Sequence, residues 1–189
     1  MATWTEELGV FNVKGDKIIA TDPCYNKNSD SNYVIDNCMS GVWRAVAVLT
    51  DDTEGWGCRV SYIMVSRENF ESFQTKEETV CDIIGVDSGQ AGFFDYSLYP
   101  AGERESNGFN DPVNDFDLFY DKCCTATLGK RQADVIDKMG AVSSSGYGDG
   151  VYDLTIWKDG VGKVLAARID FLNKDEEDED PYKEDCYFV

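Results

Sequence analysis

The sequence contains no histidine and is poor in positive charge: 17 Lys and Arg face 36 Asp and Glu, a formal net charge of −19 over 189 residues. Without imidazole no Ser-His-Asp or Cys-His pair can form, and neither can a zinc site with histidine ligands. Any hydrolytic chemistry would need carboxylates, a Ser–Lys pair or a carboxylate-bound metal. The shortage of cations argues against direct contact with nucleic acid or an anionic membrane, since both require a positive footprint. Long apolar runs are missing too, and none approaches the ~18 residues of a membrane helix. The stretch Met1-Ala-Thr-Trp-Thr-Glu-Glu-Leu8 has neither the basic segment nor the apolar core of a signal peptide. Seven cysteines form no Cys-x-x-Cys and are odd in number, unlike a disulfide framework. These absences together predict a cytoplasmic protein whose thiols are reduced and mostly packed as small apolar groups.

Hydrophobic residues make up 42% of the chain and include 24 aromatics, enough for a globular core. The periodic segments read as strands. Lys17–Ala20, Trp43–Leu49, Arg59–Val65 and Val80–Val86 are rich in β-branched and aromatic residues. Val151–Trp157 alternates, and the turn Lys158–Lys163 joins it to Val164–Ile169 as a hairpin. Two short helices are predicted, one over Arg67–Phe73 and one over Asp115–Cys123 behind an Asn114 cap. Residues 100–113 read as an exposed loop, and Ser143–Gly150 as a break. The predicted fold class is β-rich α+β: a mostly antiparallel sheet or sandwich with one or two short helices, forming a single domain over residues 1–172.

Residues 173–189 differ from this body. Asp175, Glu176, Glu177, Asp178, Glu179 and Asp180 are six consecutive acids, and the segment carries net −6, leaving −13 on residues 1–172. A like-charge block of this kind is usually solvated, and it is the first candidate for an acidic binding surface. The apolar Cys186-Tyr-Phe-Val189 that follows it gives the segment a means of docking.

Three further clusters carry candidate site residues. Ser145-Gly-Tyr-Gly-Asp-Gly-Val-Tyr152 holds Asp149 among three glycines. A strand follows it and no Lys or Arg accompanies it, which argues against a phosphate loop. Asp87-Ser-Gly-Gln-Ala-Gly-Phe-Phe-Asp95 is the second cluster and Asp22-Pro-Cys-Tyr25 the third. Asp22, Asp87, Asp95 and Asp149 are the residue types that hold Ca²⁺ or Mg²⁺, or that do acid–base work on a sugar, when they converge. The alternative is that each carboxylate binds backbone amides of its own turn. Cys24 has no histidine to activate it and an acid beside it, so it reads as structural.

At these clusters the chain resembles a bacterial family of uncharacterised proteins, domain of unknown function family 4241. The resemblance rests on Gly15-Asp-Lys-Ile-Ile-Ala-Thr-Asp-Pro23, on Val86-Asp-Ser-Gly89 with Phe94-Asp95, and on Ser145–Tyr152 followed by a hairpin and Asp170-Phe171. It implies a shared β-rich fold across most of the chain and supplies no activity.

Charge and the lack of a catalytic constellation together point first to a non-enzymatic binding protein, bacterial or phage, needing no cofactor. Its acidic surface would mask a basic, nucleic-acid-binding surface of a partner such as a nuclease or toxin, in the manner of an inhibitor, anti-defence or immunity protein. The alternative is a carboxylate- or divalent-metal-dependent enzyme or ligand-binding domain built on Asp22, Asp87, Asp95 and Asp149.

Overall fold

A computed structural model describes residues 2–52, 55, 57–72, 75–106 and 111–172. The acidic stretch Asp175–Asp180 and Cys186 lie outside the described residues. Eleven strands run in chain order among the described residues, as β1 (Thr3–Val13), β2 (Ile18–Thr21), β3 (Tyr33–Ile35), β4 (Gly41–Asp52), β5 (Gly57–Arg67), β6 (Lys76–Val86), β7 (Gln90–Asp95), β8 (Ala133–Ile136), β9 (Gly140–Ser144), β10 (Gly150–Lys158) and β11 (Val164–Asp170). One helix, α1 (Asp115–Thr127), lies between β7 and β8. The strands form two antiparallel sheets, one ordered β1-β4-β5-β11-β10-β6 and the other β3-β2-β7-β9-β8.

The five-stranded sheet is the middle layer, and alternation along its strands shows it. Ile18, Phe93 and Ala141 pack into the larger core with Phe11, Trp43, Ile63 and Leu154 of the six-stranded sheet. Their neighbours Ile19, Phe94 and Val142 join the second core, with Phe116, Phe119 and Cys123 of α1. Adjacent residues thus face opposite sides, as strand geometry requires. Both faces are covered, which is why β2 and β7 are buried at every position and carry consecutive apolar residues, Ile18–Ala20 and Ala91–Phe94, in place of an alternating pattern. The central strands of this sheet approach closely at two glycines. A Cβ on Gly92 would lie 2.2 Å from the Ala141 carbonyl oxygen, and one on Gly140 would lie 2.3 Å from that of Phe93.

α1 begins as its sequence predicts: the Asn114 side chain accepts the Asp117 N–H at 2.8 Å. The β10–β11 hairpin is present, with Ile156 opposite Ala167. The helix predicted over Arg67–Phe73 is not formed among the described residues. Arg67 still belongs to β5, opposite Trp43, and the chain then closes a turn in which Phe70 N–H donates to the Arg67 carbonyl at 3.0 Å. Sheet pairing outcompetes the local helical spacing there. Ser143 and Ser144, read as part of a break, end β9 instead.

Candidate functional site

Three turns meet at one end of the middle sheet, where Asp22 and Asp149 each bind the turn at residues 87–89. Asp22 follows β2 directly and is fully buried. Its Oδ1 accepts the Cys24 N–H at 2.8 Å and the Ser88 hydroxyl at 2.6 Å. Its Oδ2 accepts the N–H groups of Asp87 at 2.9 Å and Ser88 at 2.7 Å. The next amide, that of Gly89, donates to Asp149 Oδ1 at 2.9 Å. Three successive N–H groups, 87 to 89, therefore form a concavity that suits an anion, and two carboxylates of the chain itself fill it. Gly89 has φ +68°, the left-handed geometry that glycine adopts without a steric penalty.

Side chains from the helix layer close over this junction. The Tyr25 hydroxyl lies close to Asp87, and the Tyr120 hydroxyl of α1 lies close to Ser88 and Cys124. Tyr99 donates to the Tyr25 carbonyl at 2.8 Å. Burial pushes the Tyr120 phenol up to about 12. Burial, reinforced by the charge of Asp22 and a hydrogen bond to it, raises the Cys24 thiol well above its ordinary value. A thiol so placed is a poor source of thiolate, in keeping with the structural role its neighbours predict.

The four carboxylates singled out in the sequence do not share one site. Asp22, Asp87 and Asp149 meet at the three turns. Asp95 ends β7 opposite Ile18, whereas Thr21, just before Asp22, is opposite Gly92; four strand residues separate the two positions, about 13 Å. Asp95 is itself fully buried and accepts from Lys14 N–H, Ser97 N–H and hydroxyl, and Leu98 N–H. Both oxygens of Asp22 and of Asp95 are thus directed at protein donors. Among the described residues no group of three or more His, Cys, Asp or Glu is placed to hold a metal ion. The carboxylates do not fit a shared Ca²⁺ or Mg²⁺, which would need several oxygens free at one point.

A third buried carboxylate, Asp117 in the first turn of α1, works the same way. It accepts the N–H groups of Glu105 (3.0 Å), Ser106 (3.0 Å) and Val113 (3.1 Å), holding the preceding loop against the helix. Burial pushes this carboxyl up, but the amides of Ser106, Val113 and Glu105 outweigh that effect and hold it below the usual carboxylate value. Nothing in the local sequence marks Asp117 apart from its neighbours, because its partners lie four to twelve residues upstream.

The chain matches the profile of the family described as "Protein of unknown function (DUF4241)" over residues 11–169. It belongs to that family. The matched region contains all three turns, the buried carboxylates and, apart from Leu8 and Phe171, both cores. No curated protein and no solved structure matches the chain.

Around the three turns the surface is acidic. Asp30, Asp87, Glu103, Glu105, Asp111, Asp115 and Asp149 are all exposed. Their segments are tied together: Asn26 donates to Glu103 at 3.3 Å, and Asn114 donates to the Glu103 carbonyl at 3.1 Å. Two cations belong to these segments, Lys27 and Arg104, and they lie over the rings of Tyr96 and Tyr120 at 4.0 and 4.4 Å. The ion pairs among the described residues are elsewhere, at Lys17–Asp36, Arg44–Glu7, Lys122–Asp137, Arg131–Glu6, Lys158–Glu78 and Arg168–Asp170. Sequence reading placed the binding surface on Asp175–Asp180. It singled out Asp87 and Asp149 only as metal or ligand candidates, and it missed the other five because they are scattered over residues 30–115 and only the fold collects them.

Proposed function

We propose that the protein is a non-enzymatic acidic binding protein of a bacterium or phage that masks a basic, nucleic-acid-binding surface of a partner, as an inhibitor, anti-defence or immunity factor. The observation that carries this reading is the collection of seven exposed carboxylates around the three turns, none of which forms an ion pair among the described residues. Concentrated charge of one sign steers an oppositely charged partner and sets its orientation, which evenly spread charge does not. The buried carboxylates favour the same reading, since their acceptor capacity is spent on main-chain amides and not held in reserve for chemistry. Asp175–Asp180 would extend the negative field.

The test compares two quadruple variants with the parent protein, using a fluorescent deca-lysine titrated at 50 and 500 mM NaCl. One variant neutralises the acidic end (Glu103→Gln, Glu105→Gln, Asp111→Asn, Asp115→Asn). The other removes the same charge elsewhere (Asp16→Asn, Asp51→Asn, Glu68→Gln, Asp134→Asn). Parent affinity should fall at least about tenfold with salt, and the first variant should bind more weakly than the second. Equal losses, or affinity indifferent to salt, would defeat the proposal.

A further inference from the structure

The solvent side of α1 offers a docking groove on the flank of the acidic end. Asp115, Leu118, Lys122 and Thr125 fall at helical spacing on one stripe, and all are exposed. Beside the stripe lies an open depression of about 340 Å³ lined by Pro112, Leu118, Asp121, Lys122 and Thr125. Leu118 is 45% exposed and Val113, at the approach to the helix, 63%. Large apolar side chains at that exposure are unremarkable singly, but a leucine lining a concavity, with a second apolar residue at the approach to the helix and a field of one sign, supplies the ingredients of a binding anchor. Lys122 on the stripe is neutralised by Asp137 at 2.7 Å, so Asp111, Asp115 and the lining Asp121 set the local charge.

We infer that this groove takes an amphipathic, Lys/Arg-bearing segment of the partner, with an apolar side chain seated against Leu118 and Val113 and its cations facing Asp111 and Asp115. Charge complementarity selects this occupant: an acidic segment would meet repulsion, and a purely polar basic one would leave the depression unfilled. The inference rests on the acidic-binding reading and adds to it an apolar anchor at a named place, in the mode of a helix laid into a groove.

The experiment uses the full chain and two fluorescent probes at 50 mM NaCl. One is an 18-residue peptide with Leu at helical i, i+3, i+4, i+7 spacing and Lys elsewhere; the other is deca-lysine. Leu118→Ala should weaken the Leu/Lys peptide at least about fivefold and leave deca-lysine unchanged. Leu128→Ala, which trims a leucine that is 79% exposed at the far end of α1, should change neither. Matching thermal melts confirm that each variant is folded. If Leu118→Ala leaves the Leu/Lys peptide unaffected while deca-lysine still binds, the groove is wrong and the charge reading stands. If Leu128→Ala weakens the peptide as much as Leu118→Ala does, the contact is general apolar adhesion and the groove is equally wrong. If neither probe binds the parent protein, both readings fall.

Discussion

Replacing Asp22 tests whether the junction of turns is a source of stability. Asp22→Asn can rotate its amide so that the remaining oxygen accepts from Asp87 and Ser88 N–H, while its NH₂ group meets the Ser88 hydroxyl, which can turn to accept. Only the Cys24 N–H then loses its acceptor, and the charge assistance of the remaining bonds goes. At roughly 1–3 kcal/mol for an orphaned buried donor, the cost is about 2 kcal/mol. Asp22→Ala strips the acceptor from three main-chain N–H groups and one hydroxyl, and at ~1.5 kcal/mol for each amide the cost is about 4.5 kcal/mol. That is a large part of the ~5–15 kcal/mol by which a domain is stable. Urea unfolding followed by the fluorescence of buried Trp43 and Trp157 reads the difference. With a slope of ~2 kcal/mol/M, midpoints should fall by about 1 M for Asn and about 2 M for Ala with the slope unchanged. Equal losses for the two variants, or losses under about 0.5 M for both, would refute the assignment of stability to these hydrogen bonds.

Other predictions concern the remaining clasps and the packing. Asp117 has a folded carboxyl held below its ordinary 3.8, so its contribution is complete above that value and is lost as pH falls through the lower folded value. Melting temperature against pH should show this acid limb, and Asp117→Asn should flatten it, with faster hydrogen exchange at Glu105, Ser106 and Val113. Gly92→Ala and Gly140→Ala, each forcing a Cβ to within 2.3 Å or less of a carbonyl oxygen, should abolish soluble folded protein. Gly15→Ala, with nothing within 4 Å, should express normally, as circular dichroism will report. Cys24, its thiol raised by burial and by Asp22, should react with iodoacetamide at pH 8 more slowly than a free cysteine; Asp22→Ala should speed it, and a fast parent rate would contradict the described environment.

The β10–β11 hairpin and the cap of α1 were legible in the sequence because their signals are local: an alternating pair around a Gly-bearing turn, and an Asn three residues before an amide it can bind. The Arg67–Phe73 segment misled because its helical spacing begins inside β5, where a partner strand already holds Arg67. The three turns could be picked out as Gly- and Asp-rich clusters, yet their meeting could not. Asp22 is 65 and 66 residues from the amides it binds in the β6–β7 turn, and Asp149 is 60 residues from Gly89. Nor could sequence tell that Asp95, alike in type and context, sits about 13 Å away at the other end of its strand. Spacing along a chain carries no information about which turns share an end of a sandwich.

The clasps have one further consequence. Asp22, Asp95 and Asp117 recognise mostly main-chain N–H groups, which every residue but proline possesses. The exposed side chains at Glu105, Val113 and Lys14 take no part in these bonds and are therefore released from holding the loops in place. Substitution there is permitted to alter the surface without altering the scaffold, with proline the single forbidden letter at each donor position. A saturation library over these three sites should recover diverse residues among folded clones and exclude proline, much as an antibody framework leaves its loops open to variation.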